Sequence, residues 1–226
     1  PALYAWLVKC WSQHTVEWES GLGAFWDTAI RGSSALQAAL QRRLIEEIAV
    51  TNGRVAGSIM WDIEKFYDSI NWEYLVRWAL ELQFDPTLLL IGLSMHTADR
   101  VMRVGPFAGA AGAVRGSVIA GCGLAVKWSK IMLYHTLNKT HSAIPAELST
   151  FYDDIVSPAV GTGAQVFVTL RDCAVIISDL LKGAGLKVSS SKTTVSTSNP
   201  QVAKLIVQDL VKKWVSHKHL FLQHLH

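Results

Sequence analysis

Residues 151–156 read Phe151-Tyr152-Asp153-Asp154-Ile155-Val156. Adjacent aspartates beside an apolar run are costly, because like charges repel and Asp is disfavoured in strands. A divalent cation between them relieves that repulsion. Hard Mg²⁺ prefers carboxylate oxygens and leaves positions open for substrate phosphates. Far upstream, Ala56-Gly57-Ser58-Ile59-Met60-Trp61 runs into a third carboxylate, Asp62. On neighbouring strands the three acids would complete a two-metal site that clamps the attacking and leaving oxygens of a phosphoryl transfer. The plain alternatives are that Asp62 caps a helix, for which Ser69 and Asn71 are better placed, and that Asp153-Asp154 is an ordinary polar turn.

Around these two segments the pattern alternates between helix and strand. Helical spacing covers 2–19 and 33–50, with Leu36, Leu40, Leu44 and Ile48 at four-residue steps and Gln41, Arg42, Glu46 and Glu47 on the polar side. The stretch 21–26 reads as a turn, and Asn52-Gly53 is a strong turn signal before the strand that ends at Asp62. Asn71 is an N-cap for a helix near 71–83, and Asp85-Pro86 opens another near 86–97. Residues 100–118 predict a hairpin with a flexible connection, 119–138 a long buried helix, and 139–147 a polar loop. A strand–turn–strand at 148–160 carries Asp153-Asp154 at its turn. A helix near 164–183 ends at Gly183 or Gly185, followed by short strands at 186–188 and 193–196. The fold class is α+β, a split ferredoxin-like βαββαβ antiparallel sheet with helices on one face and insertions.

Half of the 226 residues are hydrophobic and nine are Trp, so a sizeable core is available and disorder is excluded. The formal net charge of +3 fits a polyanionic partner without demanding one. Three widely spaced cysteines, Cys10, Cys122 and Cys173, point to neither a disulfide framework nor a zinc cluster, and to a reducing intracellular compartment. The apolar stretches 118–134 and 166–181 are interrupted by Lys127, Lys130, Arg171, Asp172 and Asp179. They read as buried helices rather than membrane spans. No secretory signal is visible, and the start at Pro1 reads as an excerpt of a longer chain.

Three motifs then carry a resemblance. Asp62-Ile63-Glu64-Lys65-Phe66-Tyr67-Asp68-Ser69-Ile70 resembles the first palm motif of reverse transcriptases, particularly the non-LTR (LINE-type) and group II intron branches. Phe151-Tyr152-Asp153-Asp154 resembles their second aspartate motif. Gly185-Leu186-Lys187-Val188-Ser189-Ser190-Ser191-Lys192-Thr193 is similar to the segment that follows it. The order and rough spacing agree over about residues 20–198. The resemblance implies that Asp62 and Asp153 bind two Mg²⁺ ions, with Mn²⁺ as a substitute, and that Asp154 is the third, less directly engaged carboxylate. It assigns Tyr67 to the ring that packs under the incoming sugar and leaves no room for a ribose 2′-hydroxyl. Phe66 is grouped with it at the nucleotide and is the better core member. Lys192 falls beside the leaving pyrophosphate, as proton donor or charge stabiliser; the plain alternative is a surface lysine in a serine-rich loop.

The middle motif departs from the family pattern. In Val114-Arg115-Gly116-Ser117-Val118, Gly116 and Ser117 fit a nucleotide-supporting turn, but Arg115 stands where Gln is expected and a Pro is missing. Gly116 lets the backbone approach a nucleotide closely. Arg115 either contacts a phosphate or is a solvated hairpin residue. A basic fingers segment is not found, with Arg31, Arg42 and Arg43 as weak substitutes. His217, His219, His224 and His226 read as a solvated tail.

The resemblance thus divides the chain into helical partial fingers (1–55), a palm (56–200) with a fingers-like insertion near 85–118, and a truncated thumb remnant with tail (201–226). The expected activity is RNA-directed DNA synthesis by two-metal nucleotidyl transfer, with an RNA template, a DNA primer and deoxynucleoside triphosphates as partners and no membrane. A thumb and accessory domains are expected elsewhere in the parent protein, and a nuclear location follows from the family's lifestyle. Two rivals are an RNA-dependent RNA polymerase palm, against which Tyr67 and Tyr152 argue, and a decayed or domesticated copy that binds nucleic acid without catalysis.

Overall fold

The computed structural model describes residues 2–30, 32–114, 116–144 and 146–215. Its first elements are α1 (Ala2–Cys10), α2 (Ser12–Gly21), α3 (Ala35–Thr51), β1 (Val55–Trp61), α4 (Phe66–Ser69), α5 (Trp72–Glu81) and α6 (Pro86–Thr97). A hairpin, β2 (Arg100–Val104) and β3 (Phe107–Gly112), precedes α7 (Ala125–Ala143). The chain continues through β4 (Ser149–Phe151), β5 (Asp154–Gly161), α8 (Gly163–Gly183), β6 (Thr194–Thr197) and α9 (Pro200–Val215). These elements form two compact units, Phe25–Glu64 with Tyr134–His226, and Pro1–Ala24 with Lys65–Leu133. The units follow packing and interleave along the chain, whereas the expected boundaries at 55 and 200 are sequential.

The first unit is built on a four-stranded antiparallel sheet in the order β4-β5-β1-β6. Counted along the chain, its strands run second, third, first, fourth, which is the arrangement of a βαββαβ sheet. The crossover between β5 and β6 is α8. Its start is set by a reciprocal capping box, in which the Thr162 hydroxyl accepts from the Gln165 N–H and the Gln165 side chain accepts from the Thr162 N–H. Val166, Leu170, Cys173, Ala174, Ile177 and Leu181 recur at helical spacing and are buried. α8 reaches the sheet closely because position 57 has no side chain. A Cβ there would lie 2.9 Å from Thr197 Cγ2, 3.1 Å from Val166 Cγ1 and 3.2 Å from Leu170 Cδ1.

The second unit holds α5, whose Asn71 cap accepts from the Glu73 and Tyr74 N–H groups, and α6, capped by Asp85 with Pro86 in its first turn. Inside it, the carboxylate of Glu19 pairs with both Lys127 and Lys130.

Four expectations are corrected. The helix over 2–19 is interrupted at Trp11, whose φ of −85° and ψ of 0° depart from helical values. The helix expected over 119–138 begins at Ala125, because Gly121 turns the chain at φ 83° and the Leu124 N–H is taken by Cys122 Sγ. It then runs on to Ala143, through much of the expected loop. The strand over 186–188 shrinks to one bridge between Ile63 and Val188. The leucine stripe of α3 is exposed, Leu36 at 68% and Leu40 at 59%, and Ala49 is the buried residue of that helix. Four-residue spacing identified the helix but not which side of it would be covered. Among the described residues no helix is long and apolar enough to cross a membrane.

Candidate active site

β1 and β5 pair in a register that ends at Trp61 opposite Ile155. One further step along each strand leads to Asp62 and Asp154, so two residues remote in sequence meet at the end of the pair, near enough for the charge of Asp62 to act on Asp154. Alternation along the strands decides which face they share. Gly57, Ile59 and Trp61, with their partners Ala159, Ser157 and Ile155, face α8. A buried bond from Trp61 Nε1–H to Ser157 Oγ, 3.0 Å, fastens that side. Asp62 and Asp154 therefore sit with Met60 and Val156 on the opposite face, where Met60 is 37% exposed.

β4 and β5 are joined by Tyr152-Asp153, a two-residue loop between the pair Phe151 and Asp154. Tyr152 has φ 62°, the sign such tight loops require at their first residue and one that a bulky side chain rarely adopts. The turn holds Asp153 next to the paired Asp154. The carboxyl of Asp154 is pushed above its ordinary value, first by burial, then by the charges of Asp153 and Asp62. That mutual repulsion is the electrostatic condition of a cation site, and the donors are hard oxygens suited to Mg²⁺. Among the described residues no three His, Cys, Asp or Glu side chains are arranged tightly enough to hold an ion as they stand. The backbone thus brings Asp62 and Asp154 into opposition, with Asp153 at the turn.

Asp62 is gripped by the loop that carries Lys192. Its N–H donates to Thr193 Oγ1 at 3.2 Å, and its carbonyl accepts from the Ser189 N–H at 2.7 Å. Lys192 Nζ lies 3.9 Å from Asp62 Oδ1, with the lysine 72% exposed, so the pair contributes little to stability. Lys187 pairs with Glu64 at 2.8 Å, an ion pair on the surface. Neither Ser189 nor Thr193 was expected from the sequence to hold Asp62.

Phe66, Tyr67, Gly116 and Ser117 belong to the other unit and come together there. Phe66 is buried and Tyr67 half-buried, their rings edge to face at 5.2 Å. The Tyr67 carbonyl accepts from the Val118 N–H at 2.7 Å, which ties this segment to Gly116-Ser117. Ser117 is buried at φ 97°, a strained conformation held by Arg100 Nη1 donating to its Oγ and Trp72 Nε1 donating to its carbonyl. Neither Arg100 nor Trp72 was expected from sequence. Arg115, Arg31 and the histidines from His217 to His226 lie outside the described residues.

A cleft of about 570 Å³ lies at the far end of β1 and β5, lined by Arg42, Arg54, Gly57 and Val160. It is remote from the paired acids and offers no chemistry comparable to theirs.

A family model described as reverse transcriptase (RNA-dependent DNA polymerase) matches residues 13–216. No curated protein matches the chain. Among solved structures, an apo telomerase from Candida tropicalis, truncated of its C-terminal domain, is similar with a TM-score of 0.59 at 15% identity, over 87% of this chain and 41% of that one. A telomerase from the same organism, in complex with the TWJ fragment of telomeric RNA, is similar with a TM-score of 0.59 at 12% identity, over 82% of this chain and 32% of that one. At such identities the likeness speaks for the fold, and this chain spans less than half the length of either telomerase chain. With the family model spanning nearly the whole described chain and the acids set across one strand pair, the protein belongs to the reverse transcriptase (RNA-dependent DNA polymerase) family.

Proposed function

We propose that this chain is the palm-bearing part of an RNA-directed DNA polymerase of a non-LTR (LINE-type) retroelement, adding deoxynucleotides to a primer 3′-hydroxyl on an RNA template. The observation that carries this reading is the β1–β5 register, which opposes Asp62 and Asp154. Asp62, Asp153 and Asp154 are the residues that would hold Mg²⁺ or Mn²⁺. Such ions, when bound, neutralise triphosphate charge and acidify the attacking hydroxyl. The protein's own part is to fix three carboxylates on a rigid strand pair and to keep Lys192 beside them as a cation for the departing pyrophosphate. The nucleotide roles of Tyr67, Phe66, Arg115, Gly116 and Ser117 belong to the same proposal. So do the fingers, palm and thumb-remnant division at 55 and 200, the missing thumb and accessory domains, and a nuclear location.

Primer extension on an RNA template, with deoxy- and ribonucleotides compared in Mg²⁺, tests the reading. The wild type is expected to incorporate deoxynucleotides, and Asp62→Asn or Asp154→Asn to lower kcat by about 10²-fold or more. Preference for ribonucleotides would establish the RNA polymerase reading instead. No extension, together with Mn²⁺ binding unaffected by either substitution, would leave a nucleic-acid-binding domain without catalysis.

A further inference from the structure

Asp62 lies just beyond the ladder on both of its flanks, one residue past the pair Trp61 with Ile155 and two past the pair Met60 with Thr194. Had the β1–β6 ladder continued, the Asp62 amide would bond to backbone. The chain turns at 190–192 instead, and the donor is taken by a side chain, the Thr193 hydroxyl at 3.2 Å. The same loop closes on the next residues. The Ser189 N–H donates to the Asp62 carbonyl, the Glu64 N–H donates to the Lys187 carbonyl at 2.8 Å, and the Thr193 N–H folds back to the Ser189 carbonyl at 2.9 Å. Thr193 and Ser189 are both buried, at 6% and 3% exposure, while Asp62 keeps a third of its side chain open.

We infer that Thr193 is a positioning residue for the Asp62 carboxylate, its hydroxyl replacing the missing ladder bond and locking the Lys187–Thr193 loop to the acidic end of β1. This rests on the polymerase reading of Asp62. Without the bond the Asp62 amide loses its tie to the loop, and the Ser189 bond to the Asp62 carbonyl is left to fasten the two together at that residue. A catalytic carboxylate must be held within about 0.5 Å and 10–20° of its productive geometry, and a displacement of about 1 Å costs on the order of 10²-fold in rate. A hydroxyl in that place acts through Asp62 and needs no contact with substrate.

The test compares Thr193→Val, an isostere lacking only the hydroxyl, with Thr193→Ser, which keeps it. Three quantities are read on the full chain: steady-state primer extension, Mn²⁺ affinity by electron paramagnetic resonance, and hydrogen exchange of the Asp62 amide. Thr193→Val is expected to lower kcat by about 10-fold or more with the nucleotide KM within about two-fold, weaken Mn²⁺ binding and speed Asp62 exchange; Thr193→Ser is expected to restore all three. Wild-type kcat and Asp62 exchange in Thr193→Val overturn the inference while leaving the polymerase reading intact. Equal loss in both variants overturns it too, since packing of the threonine methyl would then be the cause. A wild type with neither extension nor Mn²⁺ binding overturns the polymerase reading, and the positioning role of Thr193 with it.

Discussion

Gly57→Ala offers a direct test of how tightly the sheet is pressed against α8. The added methyl would stand 2.9 Å from Thr197 Cγ2, 3.1 Å from Val166 Cγ1 and 3.2 Å from Leu170 Cδ1, where carbons favour separations of about 3.5–4.0 Å. Val166 and Leu170 are 1% and 0% exposed, so neither has free space to retreat into. Overpacking of this kind costs about 1–3 kcal/mol. Against it stands a gain of about 0.5 kcal/mol, because Ala has less freedom than Gly to lose on folding and position 57 needs no positive φ. The net loss is about 0.5–2.5 kcal/mol, a fall in Tm of roughly 1–10 °C for a chain of this size, read by circular dichroism. Gly183→Ala is the control: nothing lies within 4 Å of its added carbon, in the last turn of α8, so stability should hold or rise by up to about 1 kcal/mol. A Gly57→Ala protein as stable as the wild type would mean that the strand and helix stand farther apart than described.

Two further outcomes follow from the acidic hairpin. Because the Asp154 carboxyl is raised, the stabilisation it lends is fully present below the ordinary value of 3.8 and is lost as pH rises through the raised one. Asp154→Asn should therefore stabilise the fold at pH 7 by a small amount, about 0.5 kcal/mol or less for a group with this much solvent contact, with the gain vanishing below pH 3.8; a wild type more stable than Asp154→Asn at pH 7 would refute it. At Tyr152, where φ is 62°, Gly should be more stable than Ala by about 1 kcal/mol in urea unfolding, since both lose the ring and only Ala keeps the strain. Ala equal to Gly would refute that account.

The parts of the fold that were legible are those written in short range. Asn71 and Asp85 cap the helices that their positions predicted, because a cap needs only a side-chain oxygen and the next two or three amides. The strand ending at Asp62 was likewise readable from an apolar run broken by an acid, whereas the turn expected at Asp153-Asp154 falls one residue earlier, at Tyr152-Asp153, with Asp154 already paired in β5. Opposition of Asp62 to Asp154 depends on register between distant segments, which three motifs in order pointed to and pairing supplied. The Thr193 clamp was not legible, since nothing local distinguishes a serine- or threonine-rich loop that returns to a strand end from one in solvent. The exposed stripe on α3 shows the same limit: periodicity states that a helix has an apolar side and is silent on what will cover it.

The loop between β4 and β5 has only two residues, and its length is what sets Asp153 directly beside the paired Asp154. Replacing either residue changes chemistry or strain and leaves the count intact. Slipping β4 against β5 by a single position is different in kind, because every side chain of β4 would swap faces and the turn that carries Asp153 would be rebuilt. Variation here can be expected to tolerate substitution while penalising odd-numbered insertions and deletions. That asymmetry gives a way to tell a drifting copy from a maintained one by its hairpin length alone.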